Sequence, residues 1–186
     1  GKELQVQLPR AVAATDPIPV LLAALGPRLL RIAGERADGT ILWMANAQAL
    51  GIKPLVAFNR NWRQNGHRKL PSLALYRKSF RLVRERYPWV TDFTAWNEAN
   101  HTAQPTAKKP RLAARYYKAL RKDCRSCTIV AADVLDTKDM ISWVKKFKKH
   151  AKGARIWGIH NYKDANDAKG TTKLLLRTVK GQVWVT

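Results

Sequence analysis

The pentapeptide Trp96-Asn97-Glu98-Ala99-Asn100 sets a carboxyl beside an amide and an indole, directly after the strand-forming run Thr91-Asp92-Phe93-Thr94-Ala95. A carboxyl placed there can give or take a proton at a glycosidic oxygen. The Asn97 amide can hydrogen-bond a sugar hydroxyl, and Trp96 can form an apolar wall that raises the carboxyl pKa. The plain alternative is a surface carboxylate at the start of a loop. Such chemistry needs a second carboxyl, about 5–5.5 Å away for retention of configuration and about 6.5–9.5 Å away for inversion. Among the 13 acidic residues, Asp133 is the best second group, because it closes a predicted strand and points to the same face. Glu3, Asp16, Glu35, Glu85, Asp123 and Asp139 fall in predicted arms, helix faces or helix ends. Asp92 opens its strand, and Asp136, Asp164 and Asp167 fall in loops. Asn59, Trp62, Asn100, His160 and Tyr162 also end or follow strands and are candidate substrate contacts; strand capping and core packing are the competing readings. His101 follows the pentapeptide directly and could reach the same cleft.

The elements that must position these groups alternate strand and helix, which argues for a parallel α/β fold. Strands are predicted at Pro19 to Ala24, Thr40 to Met44, Lys53 to Asn59, Thr91 to Ala95, Thr128 to Ala132, Arg155 to His160 and Gln182 to Val185. Helices are predicted from about Pro27, and over Ala45 to Leu50, Ser72 to Tyr87, Arg111 to Lys122, Thr137 to Ala151 and Thr171 to Val179. Leu73, Tyr76, Phe80 and Val83 show the helical spacing in one case, and Met140, Trp143, Val144 and Phe147 in another. The segment Arg60 to Lys69 reads as a long basic loop. Leu4, Val6 and Leu8 alternate with polar residues, as a small outer strand or arm would.

A chain of 186 residues can form one domain with a sizeable core. It is short for a full (β/α) barrel, which takes about 250 residues. No apolar run reaches the roughly 18 residues of a membrane span, so none is expected. The start reads as no signal peptide, which leaves the compartment open. Lys and Arg number 35 against 13 Asp and Glu, a formal charge of +22. These charges are spread over most predicted helices, without a nucleic-acid motif or interleaved aromatics. They read as solvated basic faces, with non-specific polyanion binding at low salt as a side effect. Cys124-Arg125-Ser126-Cys127 closes a predicted helix and has no further pair of metal ligands at zinc spacing. A local disulfide or two free thiols fit it. No cofactor or metal is expected.

Two resemblances follow. The strand ends Phe58-Asn59, Trp96-Asn97-Glu98-Ala99-Asn100, Ala132-Asp133 and His160-Asn161-Tyr162, with Val183-Trp184-Val185-Thr186, resemble the clan A glycoside hydrolases, which are retaining (β/α)8 barrels. The resemblance implies that Glu98 is the acid/base at the end of strand four. It also implies a nucleophilic Glu directly after Thr186, which these residues do not include. The segment from Ile18 to Gly39, with the turn Leu25-Gly26-Pro27, resembles the last strands of luciferase-like flavin or deazaflavin monooxygenases. That resemblance implies a weak phosphate-binding turn at Gly26 and Pro27, where a helix N-terminus would attract an anion. The expectation is thus a single TIM-barrel-like domain over residues 1–186, chimeric, with about seven strands. Residues 1–50 would come from one family and 51–186 from the other. The barrel would be incomplete, or completed by the N-terminal arm or a homodimer partner. It would bind carbohydrate with weak or no glycosidase activity, or serve as a non-catalytic scaffold.

Overall fold

The computed structural model describes residues 21–23, 39–41, 48, 51, 53–60, 69–167 and 169–186, the first two segments by their backbone. The chain divides into two compact units, Gly1–Ile52 and Lys53–Thr186. In the first, β1 (Leu21–Ala23) runs parallel to β2 (Gly39–Ile41), with Leu22 opposite Thr40. The expected arm, the Gly26-Pro27 turn with its helix, most of the helix at 45–50, and Trp62 lie outside the described residues.

The second unit carries the remaining elements. β3 (Leu55–Ala57), β4 (Asp92–Thr94) and β5 (Thr128–Val130) pair in parallel in that order, with Val56, Phe93 and Ile129 in register. β6 (Asp133–Leu135), β7 (Ile156–His160) and β8 (Gln182–Val185) form a second parallel set. The fifth strand expected from the sequence is therefore two short strands, and the extended chain continues to Leu135. Between them Ala131 donates to the Ile156 carbonyl at 2.8 Å, and the Ala132 carbonyl accepts from Gly158 at 2.9 Å. β5 thus serves β4, and β6 serves β7. Two methyl side chains, each 1% exposed, let the chain change neighbours without displacing core residues. Mixed α/β layers with parallel sheets are shown; a complete barrel is not.

Every helix between these strands, except the short one at Tyr162–Asp167, buries apolar residues on one side. α1 (Leu73–Arg86) is capped by Ser72, whose Oγ accepts from Leu75 N at 3.1 Å, and it buries Tyr76 and Phe80 one turn apart. Arg84 and Arg86 in its last turn complement the negative end of the helix dipole. α2 (Pro110–Asp123) begins on a proline, whose missing N–H costs nothing there, and buries Tyr116, Tyr117 and Leu120. α3 (Met140–His150) buries Met140, Trp143, Val144 and Phe147. α4 (Tyr162–Asp167) is a helix where the sequence suggests a strand end and loop. α5 (Thr171–Thr178) buries Leu175. Neighbours pack in chain order: α1 on α2, α2 on α3, α3 on α5.

The core holds two aromatic clusters. Phe80 meets Phe93 edge-on at 5.0 Å, and Tyr116 lies 4.5 Å from Tyr76 and 5.3 Å from Trp96. Around Phe147 stand Trp143 at 5.3 Å and Trp157 at 5.7 Å. Removing a fully buried Phe from water contributes about 1.5–3 kcal/mol, so these rings dominate the packing of helices on strands. Arg77 grips Asp123 with two hydrogen bonds of 2.8 and 2.5 Å, joining α1 to α2. That guanidinium holds the Asp123 carboxyl below its ordinary range. Cys124 and Cys127 form a disulfide that closes the α2–β5 turn, with Cα atoms 5.4 Å apart.

Candidate functional site

The parallel arrangement brings the C-terminal ends of β4, β7 and β8 together with the first residue of β6, Asp133, and the titratable groups meet there. After β4 the chain turns sharply. Asn97 N donates to the Phe58 carbonyl and Ala99 N to the Asp133 carbonyl, both at 2.8 Å. Glu98 sits between them with φ of 46°, the left-handed region that side chains other than Gly and Asn adopt at a cost. Such a residue stores about 1–3 kcal/mol, which the surrounding bonds must hold.

Its carboxylate faces His160 at the end of β7. Glu98 Oε1 lies 2.9 Å from His160 Nδ1, and His101 Nδ1 stands 3.9 Å from Oε2. The other ring nitrogen of His160 lies 3.4 Å from Asp133 Oδ2. Asp133 Oδ1 in turn accepts a 2.5 Å hydrogen bond from Thr186 Oγ1. Asp133 raises the pKa of His160 most, Glu98 adds to it, and partial burial opposes both; the result is pushed up to about 9. Glu98 makes the shorter contact, yet the Asp133 side chain is 3% exposed against 21% for Glu98, so its charge is less screened by water. His160 is therefore an imidazolium at neutral pH, held between two carboxylates.

A glycine makes this possible. Gly158 lies opposite Asp133 in the β6–β7 register, and a Cβ there would stand 2.6 Å from Asp133 Oδ1. Asp133 and Thr186 join hands across the bare backbone of residue 158. Gly158 and Thr186 are site residues that the sequence reading missed. The available signal was a lone Gly inside a strand, which marks close approach of other groups.

Glu98, Asp133 and His160 are thus brought together, and other candidates are not. Trp96, expected to wall the cleft, is 1% exposed and packs against Tyr76 and Tyr116. Its indole N–H donates to Gln104 at 3.2 Å. The ring turns beneath the loop because its large apolar surface completes the α1–α2 core. Asn100, expected to contact substrate, is 2% exposed. Its amide donates to the Leu135 carbonyl at 2.7 Å and to Thr137 at 2.8 Å, and accepts from Leu135 N at 2.8 Å. It clips the Glu98 turn to the end of β6. Asp133, the candidate second carboxyl, is occupied by His160 and Thr186.

Asn97 is half-buried and its amide has no hydrogen-bond partner among the described residues. Asn59 is exposed and accepts from Arg60 N at 2.7 Å. Tyr162 is 58% exposed, edge-on to His160 at 5.9 Å. These three remain open to a ligand. Gly26, Pro27 and Trp62 lie outside the described residues. Two further carboxylates, Asp136 after β6 and Asp164 in α4, brace the rim instead of the chemistry. Asp136 accepts from Lys163 N at 2.5 Å. Asp164 accepts from Thr171 N and Thr172 N, each at 2.7 Å, and these bonds, those to Thr172 foremost, hold its carboxyl well below the usual range.

The described residues of the loops around the site are near charge balance. In these loops, in α4 and at Asp133, the cations Arg60, Lys69, Lys108, Lys109, Lys138, Lys163 and Lys169 and the His160 imidazolium stand against Glu98, Asp133, Asp136, Asp139, Asp164 and Asp167. Among the described residues, much of the positive charge sits on the outer helix faces, which expose Lys78, Arg81, Arg111, Arg115, Lys118, Lys145 and Lys149 among others.

No curated protein and no solved structure matches the chain. A family model does, the glycosyl hydrolase catalytic core, over residues 75–186. The match spans more than half of the 186 residues and contains Glu98, Asp133, His160 and the strands that carry them, and the chain belongs to that family.

Proposed function

We propose that Glu98 is the acid/base carboxyl of a retaining glycosidase site, which these residues hold in part. The observation that carries this reading is the backbone of Glu98. A left-handed glutamate, braced by hydrogen bonds on both sides and aimed at His160, is a strained conformation that packing alone does not call for. In the retaining scheme such a group protonates the leaving oxygen and later takes a proton from the attacking water. His160 fixes the direction of the carboxylate. Asp133 and Thr186 fix His160. Asn97, Asn59 and Tyr162 contact the sugar.

The resemblance puts the nucleophilic Glu next after Thr186, and Asp133 is engaged elsewhere. The polypeptide of residues 1–186 is therefore expected to turn over activated glycosides weakly or not at all. Residues 17–44, outside the matched segment, belong to this reading as a piece of separate descent. The test is aryl-glycoside turnover by this chain, by its Glu98→Gln variant, and by a chain extended beyond Thr186 with a glutamate. Azide is added as an external nucleophile. Turnover in azide or in the extended chain that disappears with Glu98→Gln supports the assignment. Turnover untouched by that substitution refutes it, and a chain inert under every condition favours the scaffold reading.

A further inference from the structure

We propose that the outer trough between α1 and α2 docks a chain-like anionic polysaccharide, separately from the cleft at Glu98. Arg111, Arg115, Lys118 and Lys122 stand at i, i+4, i+7 and i+11, so they form one exposed row along α2. At about 1.5 Å of rise per residue, neighbouring cations are roughly 4.5–6 Å apart, a spacing that suits a linear polymer bearing regular negative charge. Asp123, the acidic residue of α2, is taken by Arg77. Arg115 and Lys118 make no ion pair among the described residues.

The surface beside this row is concave. A groove of about 260 Å³ is lined by the apolar Leu73 and Ala119, by the exposed Arg115, Lys118 and Lys122, and by Arg77, which is held by Asp123. It continues past Leu73 and Arg115 into a second groove of about 200 Å³, which reaches Leu70, Leu112 and Tyr116. An apolar floor under a cationic rim fits a pyranose chain. The C–H faces of the rings lie on Leu73 and Leu112, and carboxylate or sulfate substituents reach the rim. Duplex nucleic acid is a broad cylinder with its phosphates outside and would leave the narrow floor empty. A single strand would use exposed aromatic platforms, whereas Tyr116 is 5% exposed and its hydroxyl is bonded to the Pro71 carbonyl.

The experiment is calorimetric titration of the 186-residue chain at about 150 mM salt, where weak surface charge effects are screened. The probes are a heparin octasaccharide, a DNA duplex of equal charge and a neutral oligosaccharide of equal length. Reversing the trough with Arg115→Glu and Lys118→Glu is expected to weaken octasaccharide binding by about tenfold or more. Reversing the same charge on α3 with Lys145→Glu and Lys149→Glu is expected to cost less than about threefold. All four positions are exposed, and circular dichroism confirms that both variants fold. Glu98→Gln leaves this binding unchanged, so failure here and failure of the glycosidase reading are distinguishable. Equal losses in the two charge-reversed variants, or tighter binding of the duplex than of the octasaccharide, would overturn the proposal.

Discussion

Gly158→Ala is the sharpest probe of how the site is held. A Cβ at this position would stand 2.6 Å from Asp133 Oδ1, 3.0 Å from its Cγ and 3.2 Å from Thr186 Oγ1. Ordinary contact begins at 3.4 Å, so the carboxylate oxygen must retreat by about 0.8 Å. Residue 158 cannot yield instead, because β7 is hydrogen-bonded to β6 on one side and β8 on the other. The retreat stretches the 2.5 Å bond to Thr186 and loosens the contact with His160. Overpacking a buried site costs about 1–3 kcal/mol, and a hydrogen bond to a charged group contributes about 1.5–3 kcal/mol. One displacement relieves the first by sacrificing the second, so the two do not add fully, and the net is about 3 kcal/mol. For a chain of this size that lowers Tm by about 6–12 °C. Thermal unfolding reads the loss, and NMR titration of the His160 ring reads its cause. The His160 midpoint is expected to fall from about 9 towards its ordinary 6.5. Gly153→Ala is the control: its Cβ would meet nothing within 4 Å, so it pays only the strain of φ +82° and leaves His160 alone. A Gly158→Ala protein whose Tm is within about 2 °C of wild type, with an unmoved His160 midpoint, would refute the reasoning.

Three further outcomes are expected. Because the folded pKa of His160 is raised, its stabilisation is fully present below pH 6.5 and is lost as pH rises through about 9; His160→Gln should therefore lie well below wild type in Tm at pH 6 and converge on it by pH 10. Asn100→Ala removes two hydrogen bonds between the Glu98 turn and Leu135 of β6 and one to Thr137 beyond it; Leu135 N is left unpaired while the Leu135 carbonyl keeps its bond from Thr137 N, and the loss is about 1–3 kcal/mol in denaturant unfolding. Asp164→Asn tests the opposite sign: a depressed carboxyl stabilises above its ordinary 3.8 and loses that contribution as pH falls below it, so the Tm gap between wild type and variant should shrink below pH 4.

The parts of the fold that were legible in the sequence are those with a buried stripe. Tyr76 and Phe80 on α1, and Met140, Trp143, Val144 and Phe147 on α3, read as helices because they face the core at helical spacing. α4 buries no residue, so no apolar period could announce it. α3 starts three residues later than its pattern suggests, because the Thr137 hydroxyl bonds Asp139 in a turn before the helix. The split of the fifth strand was hidden because Thr128 to Leu135 contains no Gly or Pro. At the site, position at or after a predicted strand end singled out Glu98, Asp133 and His160, although Asp133 opens β6 instead of closing a strand. It could not say which way Trp96 and Asn100 turn, since that is decided by vacancies in the surrounding core. Nor could it show that Asp133 and Thr186, 53 residues apart, share a hydrogen bond across Gly158.

The backbone of Glu98 sets two selection pressures against each other. A φ of 46° suits glycine or asparagine, so its conformational cost would ease if either replaced the glutamate. A mutant library screened only for survival of heating would drift towards Gly or Asn at position 98 wherever that relief exceeds the lost 2.9 Å contact with the His160 imidazolium. The same library screened for glycoside turnover in azide would return to Glu. Sequencing the two pools would show directly how much thermal robustness is given up to keep a carboxyl at the mouth of the strands.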